Sequence, residues 1–68
     1  MEKFSERLKE LRHLNGLSQQ DVANSVGITR SAYANYEQGT REPDLFTLKK
    51  LCLLFEISAD FLLNINLK

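Results

Sequence analysis

The stretch Gln19–Gln38, QQDVANSVGITRSAYANYEQ, decides the reading of this chain. It predicts two short helices joined by a tight turn. Ala23 stands where the first helix must be thin. Gly27 stands where the turn must be tight, because a missing Cβ permits a positive φ. Val22, Val26, Ile28, Tyr33 and Tyr36 supply the inward face. Such a helix-turn-helix leaves one side of its second helix free. That side suits a DNA major groove, which is about 12 Å wide, since a helix with its side chains is about 10–12 Å across.

The flanking sequence supplies three more helices. Helix one is expected from about Glu2 to Asn15, with Phe4, Leu8, Leu11 and Leu14 recurring at helical spacing. Asn15 and Gly16 form its stop. Glu2, Glu6 and Glu10 line another face of it, read as solvated surface. Ser18 and Asp21 form a capping box at the start of helix two. Thr29 caps helix three, and Gly39 ends it. The breaker cluster Gly39-Thr40-Arg41-Glu42-Pro43 separates it from helix four, capped by Asp44 and reaching about Phe55. Leu45, Leu48, Leu51, Cys52 and Phe55 are its expected buried stripe. Ser58 caps a short helix from Ala59 to about Asn64, with Phe61 and Leu62 as core candidates. No segment alternates as a strand does. The expected fold is all-α: one compact five-helix domain over residues 1–68, with the helix-turn-helix at its centre.

Composition narrows the function classes. In 68 residues there is room for one small core, and 43% apolar against 26% charged residues is an ordinary globular balance. Nine Lys+Arg offset nine Asp+Glu. Any nucleic-acid affinity must therefore come from a local arrangement of charge rather than from the whole chain. Cys52 is the single cysteine, in the apolar run LKKLCLLF, and reads as a buried reduced thiol. With one His, one Cys and no clustered ligands, neither a metal, a cofactor nor enzymatic chemistry is expected. Early charges break any signal peptide, and no apolar run approaches the roughly 20 residues of a membrane helix. A cytoplasmic protein is the expectation, without a second domain for a small-molecule ligand. Regulation would then come from concentration, partners or proteolysis.

Taken together these residues resemble the lambdoid phage repressor and Cro-like helix-turn-helix family, also called XRE. The resemblance covers about Phe4 to Asn64. Its most telling pieces are LNGLSQQDVANSVGITRSAYANYEQGTREPDLFTLKKLC and the closing ISADFLLN. It implies a sequence-specific transcription regulator, usually a dimer on a palindromic operator. Tyr33 departs from the family, which usually has a branched aliphatic residue there; its bulk is expected to crowd or shift helix three.

With Ala32, Tyr33 and Tyr36 facing the domain, Arg30, Ser31, Ala34 and Asn35 point outward. The types suit base edges: Arg pairs with guanine O6 and N7, Asn with adenine N6 and N7, Ser donates or accepts, and Ala meets a thymine methyl. The family's base-contacting positions map onto Arg30, Ser31 and Asn35. Phosphate contacts are expected from Gln19 at the N-terminus of helix two, from Thr29, and from Gln38, Thr40 and Arg41 beyond the far end of helix three. The resemblance also implies an ion pair between Arg12 and Glu37, with Arg12 turned towards a phosphate. A homodimer on double-stranded DNA is expected through Phe61, Leu62, Ile65 and Leu67, with Leu53 or Leu54 as further candidates. The competing reading is a protein-interaction module of the same fold, an antitoxin or adaptor, without strong DNA reading.

Overall fold

The first structural fact is how closely the helix boundaries follow local capping chemistry. The computed structural model describes residues 3–63. Its helices are α1 (Phe4–Leu14), α2 (Gln19–Val26), α3 (Arg30–Gln38), α4 (Leu45–Phe55) and α5 (Ala59–Leu63). At α2, Ser18 Oγ accepts from the Asp21 amide at 3.0 Å, and the Ser18 amide donates to Asp21 Oδ2 at 2.9 Å. Thr29 Oγ1 accepts from the Ala32 amide at 3.1 Å, Asp44 Oδ1 from the Thr47 amide at 2.7 Å, and Ser58 Oγ from the Phe61 amide at 3.2 Å. Each cap satisfies a donor that the first helical turn leaves unpaired. The backbone hydrogen bonds at Asp21 and Asp44 hold both carboxyls below their ordinary range.

The turn between α2 and α3 closes through Gly27 at φ 77°. A Cβ there would meet nothing closer than Lys50 Nζ at 3.9 Å, so the backbone conformation, not crowding, selects glycine. The end of α4 is different: Glu56 takes the left-handed conformation at φ 55° without being glycine. The sequence carries no signal for that stop.

The pair α2–α3 forms the centre. α1 crosses α3, α4 packs on α2, and α5 closes between α1 and α4. The core draws on all five helices: Leu8, Leu11, Val22, Ala23, Val26, Tyr33, Tyr36, Leu51, Phe55 and Leu62. Leu17, Ile28, Leu48 and Cys52 pack partly against it. Burial pushes the Cys52 thiol up, away from the reactive thiolate. Among the described residues no helix is long and apolar enough to cross a membrane.

Several expected core positions fall outside that core. Leu45 is 84% exposed, because α4 turns its Thr47–Leu51–Phe55 stripe inward and leaves the first residue of the helix in solvent. Leu14 is likewise exposed, as the last residue of α1. Leu62 is fully buried and belongs to the core, which removes it from any exposed interface. Glu2, Asn64, Ile65 and Leu67 lie outside the described residues.

One buried polar cluster fastens α1 to α3. Arg12 Nε donates to Glu37 Oε2 at 2.6 Å and Arg12 Nη2 to Oε1 at 3.1 Å, the two-pronged arrangement that a guanidinium and a carboxylate favour. The Tyr33 hydroxyl donates to Oε2 from one turn earlier on α3. Tyr33 is therefore not a misfit in place of an aliphatic residue. Its ring is fully buried, edge-on to Tyr36 with centroids 6.2 Å apart, and its hydroxyl finds the acceptor that a buried phenol needs. Burial pushes the Glu37 carboxyl up, but the hydrogen bonds from Arg12, Tyr33 and Gln19 outweigh it and hold the group below the ordinary carboxylate range. Burial, reinforced by the Glu37 charge, pushes the Tyr33 hydroxyl well above its ordinary value.

Two outcomes follow for stability. Leu51→Ala opens a cavity at a fully buried site and is expected to cost about 2–5 kcal/mol, whereas Leu45→Ala stays within about 0.5 kcal/mol; denaturant melts compare them. Glu37→Ala strands a buried guanidinium and is expected to cost about 3–5 kcal/mol, with the double variant Arg12→Met/Glu37→Ala losing less than Glu37→Ala alone. The pH dependence has a definite sign. A folded-state carboxyl held below its unfolded value of about 4.3 stabilises fully above that pH, and the contribution is lost as pH falls through the folded value. Melts across acid pH should show a shallower decline in Glu37→Gln than in the parent, the remainder arising from Asp21 and Asp44.

Candidate nucleic-acid interface

The helix-turn-helix places its functional candidates by simple periodicity. On α3, Tyr33, Tyr36 and Glu37 point inward, while Arg30, Ser31 and Gln38 are exposed and Ala32, Ala34 and Asn35 are half-buried. The helix thus offers its N-terminal turn to solvent most fully, with Ala34 and Asn35 along the margin of the same face. Arg30 and Ser31 stand together at the first turn of α3, the end that enters the groove in helix-turn-helix docking.

Arg30 is not loose. Its Nη1 donates to Gln19 Oε1 at 3.1 Å, and Gln19 Nε2 donates to Glu37 Oε1 at 3.1 Å. The amide of Gln19 is therefore oriented by both ends: its nitrogen must face the carboxylate and its oxygen the guanidinium. A continuous chain runs Arg12–Glu37–Gln19–Arg30, from the interior to the exposed tip of α3. Both ends of Gln19 are committed, so a phosphate contact from this side chain requires it to leave Arg30 or Glu37. Arg12 is committed too. Its Nη1 donates to the Leu17 carbonyl at 2.9 Å, which ties the loop before α2 to the same cluster, and its Nη2 lies 3.2 Å from His13 Nε2. All of the guanidinium nitrogens face partners within the chain, so it does not extend towards a phosphate.

Sequence reasoning found the Arg12–Glu37 pairing through family resemblance but did not find Gln19 or Tyr33 as its companions. A signal for Tyr33 was present, since Tyr33 and Glu37 are four apart on one helix. For Gln19 there was none, because its partners lie 11 and 18 residues away in sequence.

The remaining candidates divide between structure and surface. Thr29 Oγ1 is spent as an acceptor on the α3 cap, while its hydroxyl proton stays available. Thr40 Oγ1 donates to the Asn35 carbonyl at 3.3 Å, helping to close the end of α3. Gln38 and Arg41 are exposed. Arg41 shares a shallow polar cleft with Asn35, Ala32 and Tyr36, and Glu42 and Asp44 line it too. Since Glu37 is buried and paired, the exposed charges from Ile28 to Arg41 are Arg30 and Arg41 alone. The positive face is local, and two acids border one end of it.

Lys50 supports the turn from below. Its Nζ donates to the Val26 carbonyl at 3.4 Å, placing a cation at the C-terminal end of α2, where the helix dipole favours it.

Comparison with known proteins agrees with this geometry. The helix-turn-helix family matches residues 8–62 of the chain. The SPbeta prophage-derived uncharacterized HTH-type transcriptional regulator YonR of Bacillus subtilis (strain 168) is 53% identical over 61 residues, covering 90% of this chain and 56% of that protein. Among solved structures, a transcriptional regulator from Listeria innocua superposes with a TM-score of 0.91 at 27% identity, over 97% of this chain and 62% of the other. The P22 c2 repressor, solved in complex with a synthetic operator, superposes with a TM-score of 0.88 at 25% identity, over 93% and 96% of the two chains. The chain spans about half the length of the curated relatives it matches, at 56% and 53% for two from Bacillus subtilis. With its five helices in order, its turn at Gly27 and its match from α1 to α5, the chain belongs to the helix-turn-helix family in its phage-repressor, Cro-like (XRE) branch.

Proposed function

We propose that this chain is a sequence-specific DNA-binding transcriptional regulator, acting in the cytoplasm as a repressor, with α3 seated in the major groove. The observation that carries the reading is the exposed Arg30 at the first turn of α3, held by Gln19 against a buried ion pair. Holding a long cationic side chain before binding lowers the entropy cost of aligning it with a base edge. Arg30 then reads guanine, with Ser31, Ala34 and Asn35 completing the base contacts. Gln38, Thr40, Arg41 and Thr29 supply backbone contacts, and the N-terminus of α2 offers its remaining amides to a phosphate. The likeness to a repressor solved on its operator supports this docking.

A palindromic operator bound by a homodimer follows from economy of contacts. One unit has two exposed cations on its candidate face, too few for tight binding by a chain of zero net charge. Two units on one side of the duplex, with recognition helices about 34–36 Å apart, double the contacts. Phe61, 48% exposed beneath the Arg7 guanidinium, is the described part of the proposed dimer surface, with Ile65 and Leu67 beyond the described residues. Leu62 is excluded by its burial.

Selection from a random duplex library with purified protein tests the reading directly. The expected result is an inverted repeat with half-sites one helical turn apart; absence of any enriched sequence at near-physiological salt would overturn it. On the selected site, Arg30→Ala should cost about 1–3 kcal/mol and flatten preference at one base pair. Equal loss on every sequence would reassign Arg30 to the phosphate backbone. Gln19→Ala should blur the same base position, more weakly.

A further inference from the structure

The recognition unit carries more acids than cations. From Gln19 to Asp44 the chain sets Arg30 and Arg41 against Asp21, Glu37, Glu42 and Asp44. Three of these acids are engaged inside the fold. Asp21 and Asp44 cap α2 and α4, and Glu37 accepts from Arg12, Tyr33 and Gln19. Glu42 is different. It is exposed, and its side chain makes no hydrogen bond or ion pair among the described residues.

The fold also holds Glu42 in a particular place. It lines the cleft at the far end of α3 with Arg41, Asn35 and Asp44. That is the end where Gln38, Thr40 and Arg41 are proposed to grip the DNA backbone. Pro43 follows directly and confines the Glu42 backbone to extended conformations. Pro43 is itself half-buried, beside Phe4 and Leu48. The loop therefore keeps the carboxylate next to Arg41, where a phosphate would approach.

Resting on the DNA reading above, we propose that Glu42 is a phosphate-repelling residue that lowers the affinity of one unit for any duplex. It makes no base contact, and sequence preference stays with Arg30 and its neighbours. Like charges about 5–10 Å apart in a water-like medium repel by about the thermal energy, which is about two- to fourfold in an equilibrium constant. On a face with two exposed cations, a loss of that size matters. Random DNA is held by phosphate neutralisation alone, so the repulsion keeps a single unit from lingering on it. Stable occupancy then depends on base contacts and on a second unit.

Fluorescence anisotropy of the full chain with two labelled duplexes, one random and one carrying the selected site, tests it across a series of NaCl concentrations. Glu42→Gln should tighten binding to both duplexes by about two- to fourfold at low salt. The gain should shrink as NaCl rises, which steepens the salt dependence relative to the parent. The preferred sequence should stay that of the parent. Glu56→Gln is the control. It removes the same charge from an exposed position at the other end of α4, about 16 Å of helix away. That exceeds the Debye length of about 8–10 Å, so both affinities should stay unchanged. Glu42→Gln binding no tighter than the parent, an equal gain from Glu56→Gln, or an altered base preference would overturn the proposal. Far-ultraviolet circular dichroism checks the fold of each variant, and Glu42→Ser repeats the test where Glu42→Gln unfolds. The random duplex decides the role of Glu42, and the selected duplex decides the operator reading. A parent that binds both duplexes equally overturns the operator reading alone, and one that binds neither overturns both.

Discussion

A carboxylate buried between helices is tolerable only if its lone pairs are filled, and Glu37 meets that condition through four hydrogen bonds from three side chains. The donors come from α1, α2 and α3 itself. Glu37 thus joins all three helices by hydrogen bonds. The requirement is strict in both directions. Glu37 without Arg12 would be an uncompensated buried charge, and Arg12 without Glu37 would be the same with the sign reversed. Apolar burial drives the collapse of this small chain, while the carboxylate specifies the angle at which α1 and α3 meet.

The consequence reaches the surface through Gln19. An amide side chain is nearly symmetric in shape but not in chemistry, and between a carboxylate and a guanidinium only one orientation satisfies both. The buried pair therefore fixes the direction of Gln19, and Gln19 in turn restrains Arg30. Core and surface are in this way one network. That network also explains how a chain with no excess of positive charge can expose Arg30 with no free acid on α3 beside it. Glu37, the one acid between Ile28 and Arg41, is withdrawn from the surface and neutralised inside.

Local chemistry made most of the fold legible before any coordinates. Ser18, Thr29, Asp44 and Ser58 each cap a helix through a hydrogen bond from the amide three positions on, and Gly27 and Gly39 need only their own φ. Such signals are written in short windows of sequence. Misreadings arose where the deciding contact was distant. Leu45 fits the apolar period of α4, but the buried stripe of that helix runs Thr47–Leu51–Phe55 and leaves Leu45 in solvent. Leu14, the last residue of α1, is exposed likewise. Glu56 ends α4 in a left-handed conformation that no residue preference announces. Phe61 and Leu62 are adjacent and similarly apolar, so only the docking of α5 between α1 and α4 decides which is core. The proposed interface divides likewise: the exposure of Arg30 and Ser31 follows from the helical period, whereas Gln19's double engagement needed the packed structure.

What the small core cannot cover has a physical meaning of its own. A 68-residue chain buries a limited fraction of its apolar surface, and scattered exposed leucines are ordinary. Here the exposed residues are not scattered. Leu45, Phe46 and Leu53 share one side of α4 with two lysines, while two glutamates share a side of α1 with Leu14. Charge is not sorted helix by helix: α1 interleaves Glu6 and Glu10 with Arg7 and Lys9, whereas α4 carries Lys49 and Lys50 and no acid. The exposed side of α4 therefore joins apolar area to local positive charge on a chain of zero net charge, and screening confines that charge to groups within about 10 Å.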